Sequence, residues 1–562
     1  DWLSQQGVPL VTAVLCCQRI VRACIAAATT RAPALQPLSR APTPATSGAA
    51  MDNGAAQGGS SRAALKRKKK LKKKRKQQHQ PLVAVPSTSK KKKKQKQQPG
   101  PSPPPVASSN DALQVVDAAD VAPDAVAVAM KPRTHEDGDT RGRRVLRALL
   151  APVGARAFYE ETFERRGLFV RGRGADYLNG WCSSEDVFRA LERPATSGVD
   201  VDVTRYDPST EKRKTLSDGI ISAQWARQQL DQGATIRLRQ PQDRLARVQA
   251  LCRALEGEFG STVGANAYLT AKDGAQGFAA HWDDVDVFIL QLEGRKRWRV
   301  GACADDVYRL PRVSSEDFDG EALSKLCPHL SEIVLEPGDV LYLPRGFIHS
   351  AVTEGSENSL HLTLSCHRAN SWADLLEAAL PSALSEAIAS DPKMRESLPR
   401  DCLHYMGVAH ALESSDDEAD ESDDDDASLT EVAAVRYDPE IPRSRSLQKK
   451  RRQRFAERCA GHCKDILARL LTNLDSACDD RSLAFVAERL PPSSPEKGDP
   501  ATITATTRVH CVERRDARLV PGEAGVLLYH ALDNATTHRG KPVACLEFEE
   551  EDAPCLEALL AS

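Results

Sequence analysis

The sequence predicts a mixed α and β fold whose centre is a double-stranded β-helix, or jelly roll. Three observations predict it. From Ala267 onward, short stretches of alternating apolar and polar residues recur between turn signals, the pattern of a closed β architecture. Pro337-Gly338-Asp339 opens a turn ahead of the apolar run Val340-Leu341-Tyr342-Leu343. Upstream, Leu245, Val248, Cys252, Leu255 and Phe259 recur at helical spacing, so a helix with one apolar face precedes the strands.

The 562 residues leave room for roughly two or three domains. The net charge of −1 averages over strong segregation. After Asp1 no acidic residue occurs before Asp52, and Arg19, Arg22, Arg31 and Arg40 are spread among Ala, Thr and Leu. Residues 1–50 therefore fit a transit peptide or a translated leader, with Met51 favoured as the start. Gln18, Arg19 and Arg22 interrupt the apolar stretch Val8 to Ala28, a poor membrane span. No membrane partner is expected. Residues 51–140 read as a disordered basic tail, because Lys66 to Lys76 and Lys90 to Lys94 repel themselves and cannot form a core. Such runs predict a nuclear or nucleolar address and nonspecific contact with RNA phosphates. Pro99 to Pro105 makes a stiff linker.

The barrel domain is expected over 141–370. It opens near Gly142 with a helix over 143–151, a helical continuation over 158–166 and a strand over 168–170. A short helix over 183–191 and strands over 201–206 and 234–238 follow. The region 371–475 reads as helical. Its first helix, Trp372 to Ala389, is expected to break at Pro381. An acidic insertion at 413–428 predicts an exposed loop, and Ile466, Leu467, Leu470, Leu471 and Leu474 then mark an amphipathic helix. Strands over 502–512 and 525–532 and a helix over 553–560 fill the last domain, 476–562. The 15 cysteines form no regular framework, which suits a reducing compartment. Cys459 and Cys463 read as packed or exposed thiols, not as ligands.

The chemistry concentrates at His281-Trp282-Asp283 and His349. On a strand, residues two apart share a face, and His349 arrives just past the Val340 to Leu343 run. Two imidazoles and one carboxylate on one face of a metal leave three neighbouring positions open, the facial triad typical of Fe(II) oxygenases. A 2-oxo acid chelating through carboxylate and keto oxygens fills two positions, and O2 fills the third. Asp284 is expected on the opposite strand face and is not counted as a ligand. A cosubstrate with a distal carboxylate also needs a buried cation or hydroxyl. Lys296 is the candidate, with Arg295, Arg297 and Arg299 beside it, and spacing alone does not choose which points inward. Thr363 offers a hydroxyl.

Several stretches closely resemble the JmjC ribosomal oxygenases: Gly264 to Thr270, Gln276-Gly277-Phe278, His281 to Asp284, Val287 to Val300, Leu335 to His349, and Asn370-Ser371-Trp372. Within that family the likeness is to the nucleolar histidyl-hydroxylase branch, the bifunctional lysine-specific demethylases and histidyl-hydroxylases. The resemblance implies a cupin-like JmjC core, a helical dimerisation region and a C-terminal winged-helix-like domain, expected to end early at Ser562. It implies Fe(II) on His281, Asp283 and His349. It also implies 2-oxoglutarate held by Lys296 and Thr363, with Asn266 and Tyr268 lining the pocket.

The activity so implied is a 2-oxoglutarate-dependent dioxygenase that hydroxylates a histidine of a large-subunit ribosomal protein, and that works as a homodimer. Three other readings stay open: a histone-tail lysine demethylase using the same cofactors, a non-catalytic scaffold, and a metal-dependent cupin isomerase that consumes no O2. No DNA-binding role is expected of the last domain, where Glu547, Glu549, Glu550, Glu551 and Asp552 stand in place of a basic recognition helix.

Overall fold

A computed structural model describes residues 112–131, 140–399, 402–407, 445–492, 514–536 and 543–561. The leader, both lysine-rich runs, the acidic insertion and the strand expected over 502–512 lie outside the described residues.

The core is a nine-stranded sheet in the order β1-β2-β10-β7-β12-β6-β5-β3-β4, faced by a three-stranded sheet, β11-β8-β9. The large sheet comprises β1 (Leu113–Asp117), β2 (Gly167–Arg171), β3 (Val201–Asp207), β4 (Lys212–Thr215), β5 (Thr235–Arg239), β6 (Gly264–Thr270), β7 (Asp286–Glu293), β10 (Val340–Leu343) and β12 (Ser359–Cys366). The small sheet comprises β8 (Arg295–Gly301), β9 (Ser331–Leu335) and β11 (Ile348–Glu354). Strand alternation assigns each residue to one of two cores. On β7, Phe288 and Leu290 pack outward with Leu360, Leu362 and Leu364 of β12. They meet the helices α2 (Arg141–Leu150) and α5 (Ala246–Phe259), whose Leu146, Leu149, Val248 and Leu255 are fully buried. Val287 and Ile289 point the other way, into the barrel, against Trp298 and Val300 of β8 and Leu335 of β9. The small sheet thus closes over the large one, and their inner faces form the pocket.

The fold begins earlier than the sequence indicated. Residues 51–140 read as a disordered tail, yet Leu113–Asp117 forms β1, pairs in parallel with β2, and leads to the helix α1 (Ala125–Met130). Val126 and Ala129 of α1 are buried. The five-residue strand is too short to show periodicity beside the low-complexity segment before it. The helical continuation over 158–166 is also corrected: one turn, Phe158–Thr162, is wound, and Glu164 then takes a positive φ of 56°. The aromatic cluster of Phe158, Phe163, Phe288 and Tyr342 fixes this corner.

The turn Pro337-Gly338-Asp339 sets the direction of β10. Gly338 has φ 98°, and a Cβ there would fall 1.9 Å from the Gly174 carbonyl oxygen. Asp339, buried, accepts from the Gly172 and Glu336 amides at 2.9 Å each. Gly338→Ala is expected to destabilise the protein by about 3 kcal/mol or more, since left-handed strain and a backbone clash add. A fall in the urea midpoint at unchanged slope checks this.

Past the barrel, α7 (Trp372–Ser390) runs unbroken through Pro381, contrary to the expected break. Proline removes one intrahelical hydrogen bond. Burial of Ala379, Ala383 and Ala387 on α7, the first two clustered with Leu470 of α8 (Arg445–Thr472), holds the helix through that loss. After α8 comes α9 (Leu474–Glu488), and then a small sheet of β13 (Ala517–Pro521), β14 (Val526–His530) and β15 (Ala544–Phe548), covered by the last helix, Ala553–Ala561. Asp516 ties this domain to the rest through Arg253 of α5 and Arg489, the latter at 2.7 Å. Cys459 and Cys463 are exposed on α8. Among the described residues no helix is long and apolar enough to cross a membrane.

Candidate metal centre

His281 and His349 are paired by their backbones, His281 N donating to His349 O at 3.2 Å and His349 N to His281 O at 2.9 Å. This isolated bridge, rather than a full strand through 281–283, brings the two rings to a centroid separation of 4.5 Å. Each ring is set by its own chain: Nδ1 of His281 lies 2.8 Å from Ala279 O, and Nδ1 of His349 lies 3.0 Å from Phe347 O. A proton on Nδ1 donating to each carbonyl leaves both Nε2 lone pairs free. Both Nε2 atoms face Asp283, at 3.8 Å from Oδ1 and 3.7 Å from Oδ2. These gaps are too long for hydrogen bonds. The three ligand atoms lie within 4.8 Å of one another, the one such group among the described residues. Burial, with the His281 ring next in effect, lowers the His349 pKa to about 4. The ring is therefore neutral at neutral pH, the form that binds a metal.

The surroundings hold Asp283 in place. Gly346 N donates to Asp283 O at 3.0 Å, and Arg345 N to Asp286 Oδ1 at 3.0 Å, so the β10–β11 turn that delivers His349 also grips the stretch that carries Asp283. Asp286 is fully buried, and burial raises its pKa to about 6 although the Arg345 guanidinium opposes the shift. On the outside, Asp284 is turned away, accepting from Ser314 Oγ at 2.7 Å.

β8 decides among the basic residues. Lys296, Trp298 and Val300 alternate inward, while Arg295, Arg297 and Arg299 alternate outward. Arg295 and Arg297 pair with Glu336, Glu354 and Glu332 on the surface. Lys296 is 4% exposed, and its Nζ donates to Thr270 Oγ1 at 2.8 Å. Burial lowers its pKa to about 7.

Asn266 and Tyr268 lie on the same face of β6 as Thr270. Tyr268 stacks on His361 with centroids 4.8 Å apart and packs edge-on to Phe278. Thr363 is buried on β12 opposite Asn266 and Ile289. It stands four residues from Ser359, the residue paired with Thr270, so the hydroxyl that meets Lys296 is that of Thr270. Thr270, Thr353 and His361 escaped the sequence reading. The alternation Asn266, Tyr268, Thr270 was the available signal.

Both implied groups fit these residues. Two imidazoles and a carboxylate, with no hydrogen bond among their facing atoms, suit a divalent ion. Inside the barrel the buried Lys296 meets no carboxylate among the described residues. Trp298 Nε1, Thr353 Oγ1 and His361 Nδ1 are buried without partners among the described residues. Thr353 sits directly opposite Lys296, and His361 packs against Trp298. Buried donors left unpaired cost about 1–3 kcal/mol each, so a site built this way suits an anionic ligand.

The model for the JmjC domain matches residues 237–375, and that for the C-terminal winged helix domain of ribosomal oxygenase 1 matches 488–562. Ribosomal oxygenase 1 of Rattus norvegicus is 34% identical over 75% of this chain and 67% of its own length. The Homo sapiens protein of that name is 34% identical over 75% and 63%. The bifunctional lysine-specific demethylase and histidyl-hydroxylase NO66 of Dictyostelium discoideum is 31% identical over 74% of this chain and 76% of its own. The chain thus spans about two thirds of the two mammalian relatives. Through its JmjC core, its winged helix and relatives of this identity, the chain belongs to the JmjC ribosomal oxygenase family.

Proposed function

We propose that this chain is an Fe(II)- and 2-oxoglutarate-dependent protein hydroxylase acting on a histidine of a large-subunit ribosomal protein. The observation that carries the reading is the trio His281, Asp283 and His349 brought together in a barrel that also buries Lys296. His281, Asp283 and His349 would hold the iron. Lys296 and Thr270 would receive the distal carboxylate, with Asn266, Tyr268 and Thr363 lining the chamber. Lys296 faces Thr353, four residues from His349 on β11, roughly 13 Å of strand. Allowing for the length of the lysine side chain, a five-carbon diacid spans the remainder. With Fe(II), 2-oxoglutarate and O2 bound, the centre supplies hydroxylation of an unactivated C–H bond, with succinate and CO2 as coproducts. The chain's own part is to orient the ligands, turn both Nε2 atoms toward the ion by anchoring each Nδ1 on a main-chain carbonyl, and exclude water through the apolar residues of the barrel.

Relatives named bifunctional lysine-specific demethylase and histidyl-hydroxylase favour a second reading, a methyl-lysine of a histone tail. Mass spectrometry of ribosomal proteins and histone-tail peptides, after incubation with Fe(II), ascorbate and 2-oxoglutarate, separates the two. One added oxygen on a histidine supports the first reading. Loss of a methyl group with formaldehyde release supports the second. Neither product, with no succinate above an Asp283→Ala control, would sink both and leave a scaffold. The lysine-rich runs support a nuclear or nucleolar site of action and loose contact with RNA.

A homodimer is part of this proposal. Leu376, Leu380, Leu384 and Ile388 recur every fourth residue on α7 and are each about 40% exposed. Leu467 and Leu471 on the neighbouring α8 are 52% and 69% exposed. An exposed apolar stripe of this length is uncommon on a monomer. The double change Leu380→Glu, Leu384→Glu is expected to give a monomer in sedimentation at concentrations where the unaltered chain is a dimer. A monomeric unaltered chain would refute the proposal.

A further inference from the structure

A cavity of about 440 Å³ opens where the end of α5, the β12–α7 loop, α9 and the start of β13 meet. It shares no residue with the metal centre. Four arginines line it: Arg368, Arg481, Arg515 and Arg518. Arg518 is matched by Asp479. The other three carry charge that no carboxylate among the described residues is seen to neutralise. Arg481 donates to the main-chain carbonyl oxygen of Ala369 and to the side-chain Oδ1 of Asn370, and Arg515 donates to Glu258 O at 2.8 Å. Arg368 is exposed and meets neither acid nor carbonyl among the described residues. The one acid in the wall is Glu488, which leaves an excess of positive charge.

We infer that this cavity binds a phosphate group carried on a small soluble molecule. Three guanidinium groups offer more donors than the two oxygens of a carboxylate can use. The terminal oxygens of a phosphate accept them, and arginine's planar fork matches that geometry. A concave site with an apolar wall that includes Phe485 suits a compact ligand rather than an extended strand.

The test is titration of the full chain, loaded with Co(II), with inorganic phosphate, followed by calorimetry and thermal unfolding. Saturable binding that persists in Asp283→Ala is expected, because the metal ligands take no part. Arg368→Gln, a surface change that disturbs no contact, should weaken binding about tenfold, the loss of one charge-assisted contact. Arg481→Gln should weaken binding similarly and reduce the rise in melting temperature that phosphate produces, since the charge is lost while the side-chain amide can still donate to Ala369 O. Lys325→Gln, far from the cavity in sequence and absent from its wall, should bind as the unaltered chain does. Absence of saturable binding at millimolar phosphate, or affinity in the Arg368 and Arg481 variants equal to that of the unaltered chain, would overturn the inference. Tighter binding of a short RNA oligomer, lost in the same two variants, would assign the phosphate to a nucleic-acid backbone and overturn the small-ligand assignment.

Discussion

His349→Ala is expected to abolish succinate production from 2-oxoglutarate while the protein stays folded. The argument is geometric. His349 Nε2 faces Asp283 at 3.7 Å, its Nδ1 is anchored on Phe347 O, and its backbone is bridged to His281. Removing the ring deletes one of three ligands but leaves both backbone hydrogen bonds of the bridge. Loss of an outer partner of a metal ligand typically costs ~10–100-fold in metal affinity, and loss of a ligand should exceed that. Co(II) titration should therefore show at least a hundredfold weaker binding. Stability should change little by comparison. The ring is buried neutral, so no ion pair is lost on its removal, and the methyl group left behind opens a space beside the pocket. Asp283→Asn is the companion variant: nearly isosteric, it tests the carboxylate's charge without changing volume. Normal succinate production in either variant would show that the trio is not the iron site.

How far this centre could be read in the sequence follows from what each residue depends on. His281, Asp283 and His349 were legible because their types are rare together and a turn signal precedes the last one. Their joining was not, because the bridge between 281 and 349 depends on two sheets closing over each other. The choice of Lys296 over its three arginine neighbours depended on strand phase. All four residues are basic, so charge alone does not say which points inward, and Trp298 and Val300 decide the matter by packing inward with Lys296 in phase. Thr270 lies 26 residues from Lys296 in sequence, a contact made only in three dimensions. Tertiary context also overrode two local signals. Pro381 reads as a helix breaker, but burial of flanking alanines against α8 carries the helix through it. Leu113–Asp117 reads as the end of a tail, but the edge of β2 recruits it as a strand.

Lys296→Met is expected to weaken 2-oxoglutarate binding by about 2–5 kcal/mol, on the order of a hundredfold or more in Kd, because a buried carboxylate would lose its charged partner. Metal affinity should be unchanged, since Lys296 touches no ligand. The pH dependence gives a sharper test. Burial alone takes the ammonium from 10.5 to about 7. In the free protein the fold therefore favours the neutral amine, and its stability is penalised increasingly as pH falls from near 10.5 towards 7. A bound carboxylate reverses this by favouring the charged form, so the lysine pKa rises on binding. Above pH 7, then, each cosubstrate that binds must also draw in a proton. Affinity measured anaerobically with Mn(II) should be flat below about pH 7 and fall by up to tenfold per pH unit above it, and calorimetry in buffers of different ionisation enthalpy should show proton uptake approaching one per site. The Met variant should lose both the slope and the uptake. A Kd for 2-oxoglutarate that is unchanged in that variant would move the distal carboxylate away from Lys296, and an unaltered protein whose affinity is level from pH 6 to 9 would mean that the lysine is already charged before the acid arrives.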